Sequence, residues 1–310
     1  MRKGLLFTAL LAIVAFTSLA MWGDVTQALP ALGRFPWTLL PAVMIFGFLN
    51  DLIKFFRWDL YLKKMGFGIS RMRSLQIFLA GLSMSATPGK VGFLLKSQLL
   101  KTETGRGLIA SSPAVVAELF MDLIALCTIS LMGLALLGSS TWVVLVCLLP
   151  LAGLVPAVSH GIIGLLSRVP VLKSRGPALR DALDDMFGLF GPGVLALSLA
   201  ITLVAWTSEG VALHLILSGL GYDLGILEAT VIFGFSTLVG VLSFLPGGLV
   251  VTDASLMGLM VQVGIPAPGA AVAAIMARIC TLWLSVSIGS LFLVLNRNAL
   301  ITNPQEVVKS

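Results

Sequence analysis

Apolar residues in this chain run in long blocks separated by short polar stretches. Such blocks at residues 5–22, 37–56, 115–137, 142–158, 193–217 and 271–295 predict membrane-crossing helices, since a helix needs about 20 mostly apolar residues to traverse the hydrocarbon core. The first block follows Met1-Arg2-Lys3, with Ser18 and Ala20 as a passable signal-peptide cleavage site; a retained helix is preferred because the chain continues as a bundle. Gly138-Ser139-Ser140 forms a tight turn between the third and fourth blocks.

Two further apolar stretches are broken in the middle. Residues 74–100 are interrupted by Ser83-Met84-Ser85-Ala86-Thr87-Pro88-Gly89-Lys90, and residues 232–263 by Leu245-Pro246-Gly247-Gly248. Each half is too short to cross alone. Proline and glycine at that depth free backbone polar groups, which is tolerable only where protein or water satisfies them. Both stretches are expected to be re-entrant helical hairpins whose tips meet bound substrate or water, with ordinary kinked helices as the competing reading. In the loop 159–190, Leu179, Leu183, Met186 and Phe190 recur at helical spacing opposite Arg180, Asp181, Asp184 and Asp185. That pattern fits a helix lying on the membrane surface, and a plain connector fits as well.

Composition narrows the class. Hydrophobic residues make up 58% and charged residues 11%, with mean hydropathy +1.04, whereas soluble domains carry about 25% charge. A soluble enzyme, a disordered scaffold and a secreted disulfide protein are excluded. The expectation is an all-α polytopic membrane bundle of about six spans plus the two hairpins. The net charge of +6 is distributed as a topology signal, which argues against nucleic acid as a partner. With the N-terminus inside, the cytosolic loops hold the basic residues of 57–73, 101–106, 168–180 and the tail, and the outer loops hold only Arg34. A multi-pass protein of the cell (plasma or inner) membrane with both termini cytosolic follows. Cys127, Cys147 and Cys280 lie in apolar runs, and with His160 and His214 they form no metal-ligand spacing. No metal or cofactor is expected, and no catalytic motif is found.

Spacing suggests an internal repeat within one membrane domain, 1–310. Asp51 to Pro88 is 37 positions, as is Glu209 to Pro246; Pro88 to Glu118 is 30 and Pro246 to Arg278 is 32. A first half, 37–137, and a second, 193–295, each read as span, hairpin, span, joined by the connecting span and loop 142–192. They enter the membrane from opposite sides, the inverted arrangement of many transporters.

Ionisable residues at membrane depth cost about 2.5–3.5 kcal/mol each on insertion scales and are functional candidates by default. They are Asp51, Lys54, Glu118, Asp122, Glu209, Asp253 and Arg278, with Lys90 and Lys96 after the first tip. Glu118 and Asp122 share a helix face, and Arg278 is their expected partner; a buried ion-pair network that only fixes packing is the competing reading. Asp51 and Glu209 are candidates for coupling or ion pairing. Lys54 is expected to snorkel to the interface. The cluster Phe55, Phe56, Arg57, Trp58, Tyr61 and Lys63 is expected at the cytosolic interface. Lys90, beside Thr87, Pro88 and Gly89 at a helix end, is the leading candidate for binding an anionic group. Pro246, Gly247, Gly248 and Asp253 are its counterparts at the second tip.

Arg57-Trp58, then Thr87-Pro88-Gly89-Lys90-Val91-Gly92, Glu118 with Asp122, Leu245-Pro246-Gly247-Gly248 with Asp253, and Arg278 with Gly289 together resemble a known family. It is the membrane region of lysylphosphatidylglycerol synthases and their stand-alone relatives, the flippase-like UPF0104 membrane proteins. The resemblance spans about residues 5–298 and implies a lipid-translocating bundle with two re-entrant helices. Its partners would be aminoacylated phospholipids or polyprenyl-linked lipids. The chain departs from the family pattern at Phe93, where an acid is usual, and at Leu119, where Arg follows the Glu. It also has Val250 in place of Gly and Asp253 in place of Glu. The aminoacyl-transferase domain of the full synthases is not among these residues, so the chain is not expected to make lysyl-lipid itself. Three functions stay open: a transporter or flippase for a phospholipid or polyprenyl-linked head group, an accessory subunit presenting lipid to a separate synthase or glycosyltransferase, and a small-solute secondary exporter.

Overall fold

A computed structural model of the protein describes residues 35–87, 94–137, 155–166 and 176–295, with positions 30, 32, 33, 144, 147 and 152 besides. The expected span 5–22, most of the span 142–158, and the tip residues Pro88, Gly89, Lys90 and Phe93 lie outside them. The described residues are helical, with no strand among them. Among the described residues, four helices are long and apolar enough to cross a membrane: Trp37–Lys64, Ala110–Gly133, Pro192–Gly219 and Ala267–Leu295.

In chain order the helices are α1 (Leu40–Lys64), α2 (Arg71–Leu82), α3 (Leu94–Thr104), α4 (Leu108–Leu137), α5 (Pro156–Leu166), α6 (Gly176–Leu189), α7 (Pro192–Gly219), α8 (Ile226–Leu242), α9 (Val251–Gln262), α10 (Ala267–Arg278) and α11 (Leu284–Leu295). A π-helical turn, Ile279–Trp283, joins α10 to α11. Prolines mark helix starts where their missing N–H costs nothing, as Pro192 does in α7 after Gly191. Lys63 and Lys64 in the last turn of α1 suit the negative end of its dipole, and Gly66, at φ 70°, turns the chain away.

The helix α1 runs well past the expected limit at residue 56. Its extra turns bury Arg57, Trp58 and Tyr61 at 1%, 0% and 0% exposure, so these three face the protein interior while Phe56 stays exposed. An apolar block that ends in a basic-aromatic cluster looks the same in sequence whether the cluster meets water or enters a charged interior.

Packing follows a mirrored scheme. The helices α1 and α7 run antiparallel: Phe35 lies against Gly219, the Asn50 side-chain amide donates to the Ala205 carbonyl at 2.9 Å, and Lys64 donates to the Leu189 carbonyl just before α7. The helix α4 packs on α8 as α11 packs on α2, and the short pairs α2–α3 and α8–α9 each pack internally. Small residues set these approaches, as is usual where lipid removes the hydrophobic drive between helices. A Cβ on Gly47 would fall 2.2 Å from the Cys280 carbonyl oxygen, and one on Gly289 2.3 Å from the Ser83 nitrogen.

Two apolar cores result. One, around Trp206, Leu213, Phe233, Met257 and Ala274, joins α7–α10 to the first part of α1 and the second part of α4. The other, around Trp58, Tyr61, Phe78, Leu100 and Met186, joins the end of α1 to α2, α3, α6 and the start of α4. The charged residues collect where these cores meet.

Candidate functional site

The residues 74–100 and 232–263, broken in sequence, each hold two short helices; the first of each pair ends in a turn, at 83–87 and at 243–245. At the second tip Gly247 and Gly248 have φ of 59° and 65°, a region that glycine enters without a Cβ clash. The two tips touch: a Cβ on Gly247 would sit 3.3 Å from the Cα of Ala86. Beside this contact lies a cavity of about 400 Å³. Thr87 from the first tip and Gly247 and Gly248 from the second line it, with Asp51, Lys54 and Arg57 from α1, Lys96 from α3, Glu118 and Asp122 from α4, Glu209 from α7 and Arg278 from α10.

Charges in such a place require partners, because the desolvation cost of a lone ion is several kcal/mol at least. The Lys96 Nζ lies 3.0 and 3.2 Å from the two oxygens of Glu118, above the rings of Phe78 at 4.0 Å and Trp58 at 5.0 Å. Arg57 donates to Asp122 Oδ1 at 3.1 Å, the Glu118 carbonyl at 3.2 Å and the Thr202 hydroxyl at 2.5 Å. Lys54 reaches Asp122 Oδ2 at 3.4 Å and stands 3.7 Å over the Trp206 ring. Asp51 accepts a hydrogen bond from the Ser285 hydroxyl of α11.

The second tip has its own pair. Arg278 Nε lies 2.9 Å from Asp253 Oδ1, an ionic contact without hydrogen-bond alignment, and a second guanidinium nitrogen donates to the Gly247 carbonyl at 2.6 Å. Asp253 Oδ2 accepts from the Val250 N–H at 3.0 Å and so caps α9. Asp253 is fully buried and, like Pro246, is not among the residues lining the cavity.

These contacts correct the expected pairing. Arg278 meets Asp253 rather than Glu118 or Asp122, whose cations are Lys96, Arg57 and Lys54. Lys54 does not snorkel; it is 7% exposed and turned into the protein. Sequence reasoning offers Lys54 and Lys96 as candidates by depth alone and misses Arg57, although Asp51, Lys54 and Arg57 are spaced by three and share a helix face. His214 gives its Nδ1 to the Leu224 carbonyl at 2.6 Å, a packing contact away from the cavity. Among the described residues no group of His, Cys, Asp and Glu could hold a metal ion. Arg180, Asp181, Asp184 and Asp185 lie on α6, which packs on α4 and α5; Asp184 meets His160 at 2.8 Å.

The family model described as the lysylphosphatidylglycerol synthase TM region matches residues 4–289. Two UPF0104 membrane proteins of Methanothermobacter thermautotrophicus are similar. One is 26% identical over 140 residues, 40% of this chain and 42% of the relative. The other is 27% identical over 96 residues, 31% of this chain and 28% of the relative. The matched stretches thus span less than half the length of either relative.

Proposed function

The chain belongs to the family of the lysylphosphatidylglycerol synthase TM region, and from that premise we propose that it carries a lipid head group across the bilayer through the charged cavity. The head group, of a phospholipid or polyprenyl-linked lipid, would pass between the two helix tips while its tails stay in the hydrocarbon. The observation that carries this reading is the cavity itself. It is charged on several sides, is lined from both halves of the chain, and at about 400 Å³ has room for a head group rather than a whole lipid. Charges at this depth mark substrate paths more often than packing alone.

We read the two short helix pairs as re-entrant and the halves 37–137 and 193–295 as an inverted repeat in the cell membrane, both termini cytosolic. The antiparallel α1 and α7 and the mirrored packing of α4 on α8 and α11 on α2 support this. Pro88, Gly89 and Lys90 then belong to the first tip, with Lys90 a further cation for the head group. Gly68 and Asp223 are exposed, each in the loop before a short pair, and the native cysteines are buried. Single cysteines at these two positions should react with an impermeant reagent from opposite sides of the membrane. Reaction from the same side would sink the inverted arrangement.

Function is tested with purified protein in vesicles carrying head-group-labelled lipids. Transfer of label between leaflets supports the proposal. Co-purification with a membrane synthase or glycosyltransferase, without transfer, would assign the protein to lipid presentation instead. Uptake of a small polar solute without lipid transfer would make it an exporter.

A further inference from the structure

Resting on the lipid-carrying reading of the cavity, we propose that Lys54 is the ligand for the head group's phosphate and that it binds by exchanging Asp122 for phosphate oxygens. Around the first tip three cations, Lys54, Arg57 and Lys96, contact two carboxylates, Glu118 and Asp122. Lys96 engages both oxygens of Glu118. Asp122 divides its own, one to Arg57 at 3.1 Å and one to Lys54 at 3.4 Å. The last is longer than the contacts of Arg57 with Asp122, Lys96 with Glu118 and Arg278 with Asp253.

Arg57 is pinned by the Thr202 hydroxyl and the Glu118 carbonyl as well, so it stays on Asp122 when Lys54 moves. Asp122 then keeps a cation, which is the condition for a low-cost exchange at a buried carboxylate. The Trp206 ring face, 3.7 Å from the ammonium, stabilises the cation as it shifts between partners. Lysine suits such a move: its charge sits on a flexible stem with three rotatable donors. A phosphate oxyanion in the cavity would offer it short charge-assisted bonds that do not have to be shared with Arg57.

The test uses the purified full chain in detergent and three probes measured by calorimetry: short-chain phosphatidylglycerol, the matching diacylglycerol without phosphate, and inorganic phosphate. The wild-type protein should prefer the phospholipid to the diacylglycerol. In Lys54→Gln that preference should fall about tenfold or more, the loss of a charge-assisted contact, with the melting temperature kept because Arg57 still holds Asp122. Asp122→Asn should act in the opposite direction, tightening phospholipid binding by removing the competing carboxylate. Equal affinities in wild type and Lys54→Gln overturn the assignment. If Lys54→Gln does not fold, unchanged or weaker binding by Asp122→Asn overturns it. Binding of inorganic phosphate that depends on Lys54, together with no lipid transfer in vesicles, would leave the phosphate site standing while the lipid-carrying function falls.

Discussion

The two helix tips meet in the middle of the molecule but are anchored in opposite ways. At the first, the cation lies on the short helix after the tip and the carboxylate on the next span, Lys96 against Glu118. At the second the signs are reversed, Asp253 against Arg278. A buried pair at this place serves packing equally well in either polarity, because what the interior demands is neutralisation. The surroundings differ more than the sign. Arg278 also holds the Gly247 carbonyl and Asp253 also caps α9, so the second pair fixes backbone. Lys96 rests on aromatic rings and borders the Arg57–Asp122–Lys54 contacts, so the first pair belongs to a group of side chains. One pair holds backbone and the other holds side chains.

The strongest way to break this contrast is Arg278→Ala. It leaves a fully buried carboxylate without its cation and the Gly247 carbonyl without its donor. Removing one partner of a buried pair costs about 3–5 kcal/mol, so the melting temperature in detergent should drop steeply, and α9 should lose protection from hydrogen exchange first. A small drop would mean that the second tip is not held by this residue.

Coupling between mutations sharpens the comparison with a smaller effect. Glu118→Gln and Lys96→Met remove two ends of one contact, as Asp253→Asn and Arg278→Met do at the other tip. Each double mutant should deviate from additivity by about 0.5–3 kcal/mol, whereas Glu118→Gln with Arg278→Met should be additive within roughly 0.5 kcal/mol. Equal coupling across the tips would show that the two anchors are one network.

The spans at α1, α4, α7 and α10–α11 were legible because apolar length alone specifies a crossing helix. So were the end of α2 ahead of Pro88 and the break at Pro246-Gly247, since these residue types cannot continue a helix without consequence. The burial of Glu118, Asp122 and Arg278 could be read in the same way. Their partners could not. Arg57 sits directly after an apolar block, where a loop cation and a buried one are identical in composition, and only the packing of α7 and α4 around it decides. Arg278 finds Asp253 because α9 folds back onto α10, a proximity that spacing along the chain does not encode.

The smallest effect concerns the backbone of the second tip. Val250, where the family pattern has glycine, has φ 71° and ψ −56°, a conformation that a β-branched residue enters only under strain. The Asp253 carboxylate at its N–H and the Arg278 hold on Gly247 keep it there. Such strain is worth about 1–3 kcal/mol, while glycine adds back up to about 1 kcal/mol of unfolded-state entropy. Val250→Gly should therefore raise stability by roughly 1 kcal/mol, the difference between those two contributions. In Asp253→Asn, where the cap on the same N–H is weakened, the gain should shrink, because the strained turn is already partly released. Melting curves of the single and double variants measure both. A Val250→Gly variant less stable than the parent would mean that the valine side chain contributes more by packing than its backbone costs.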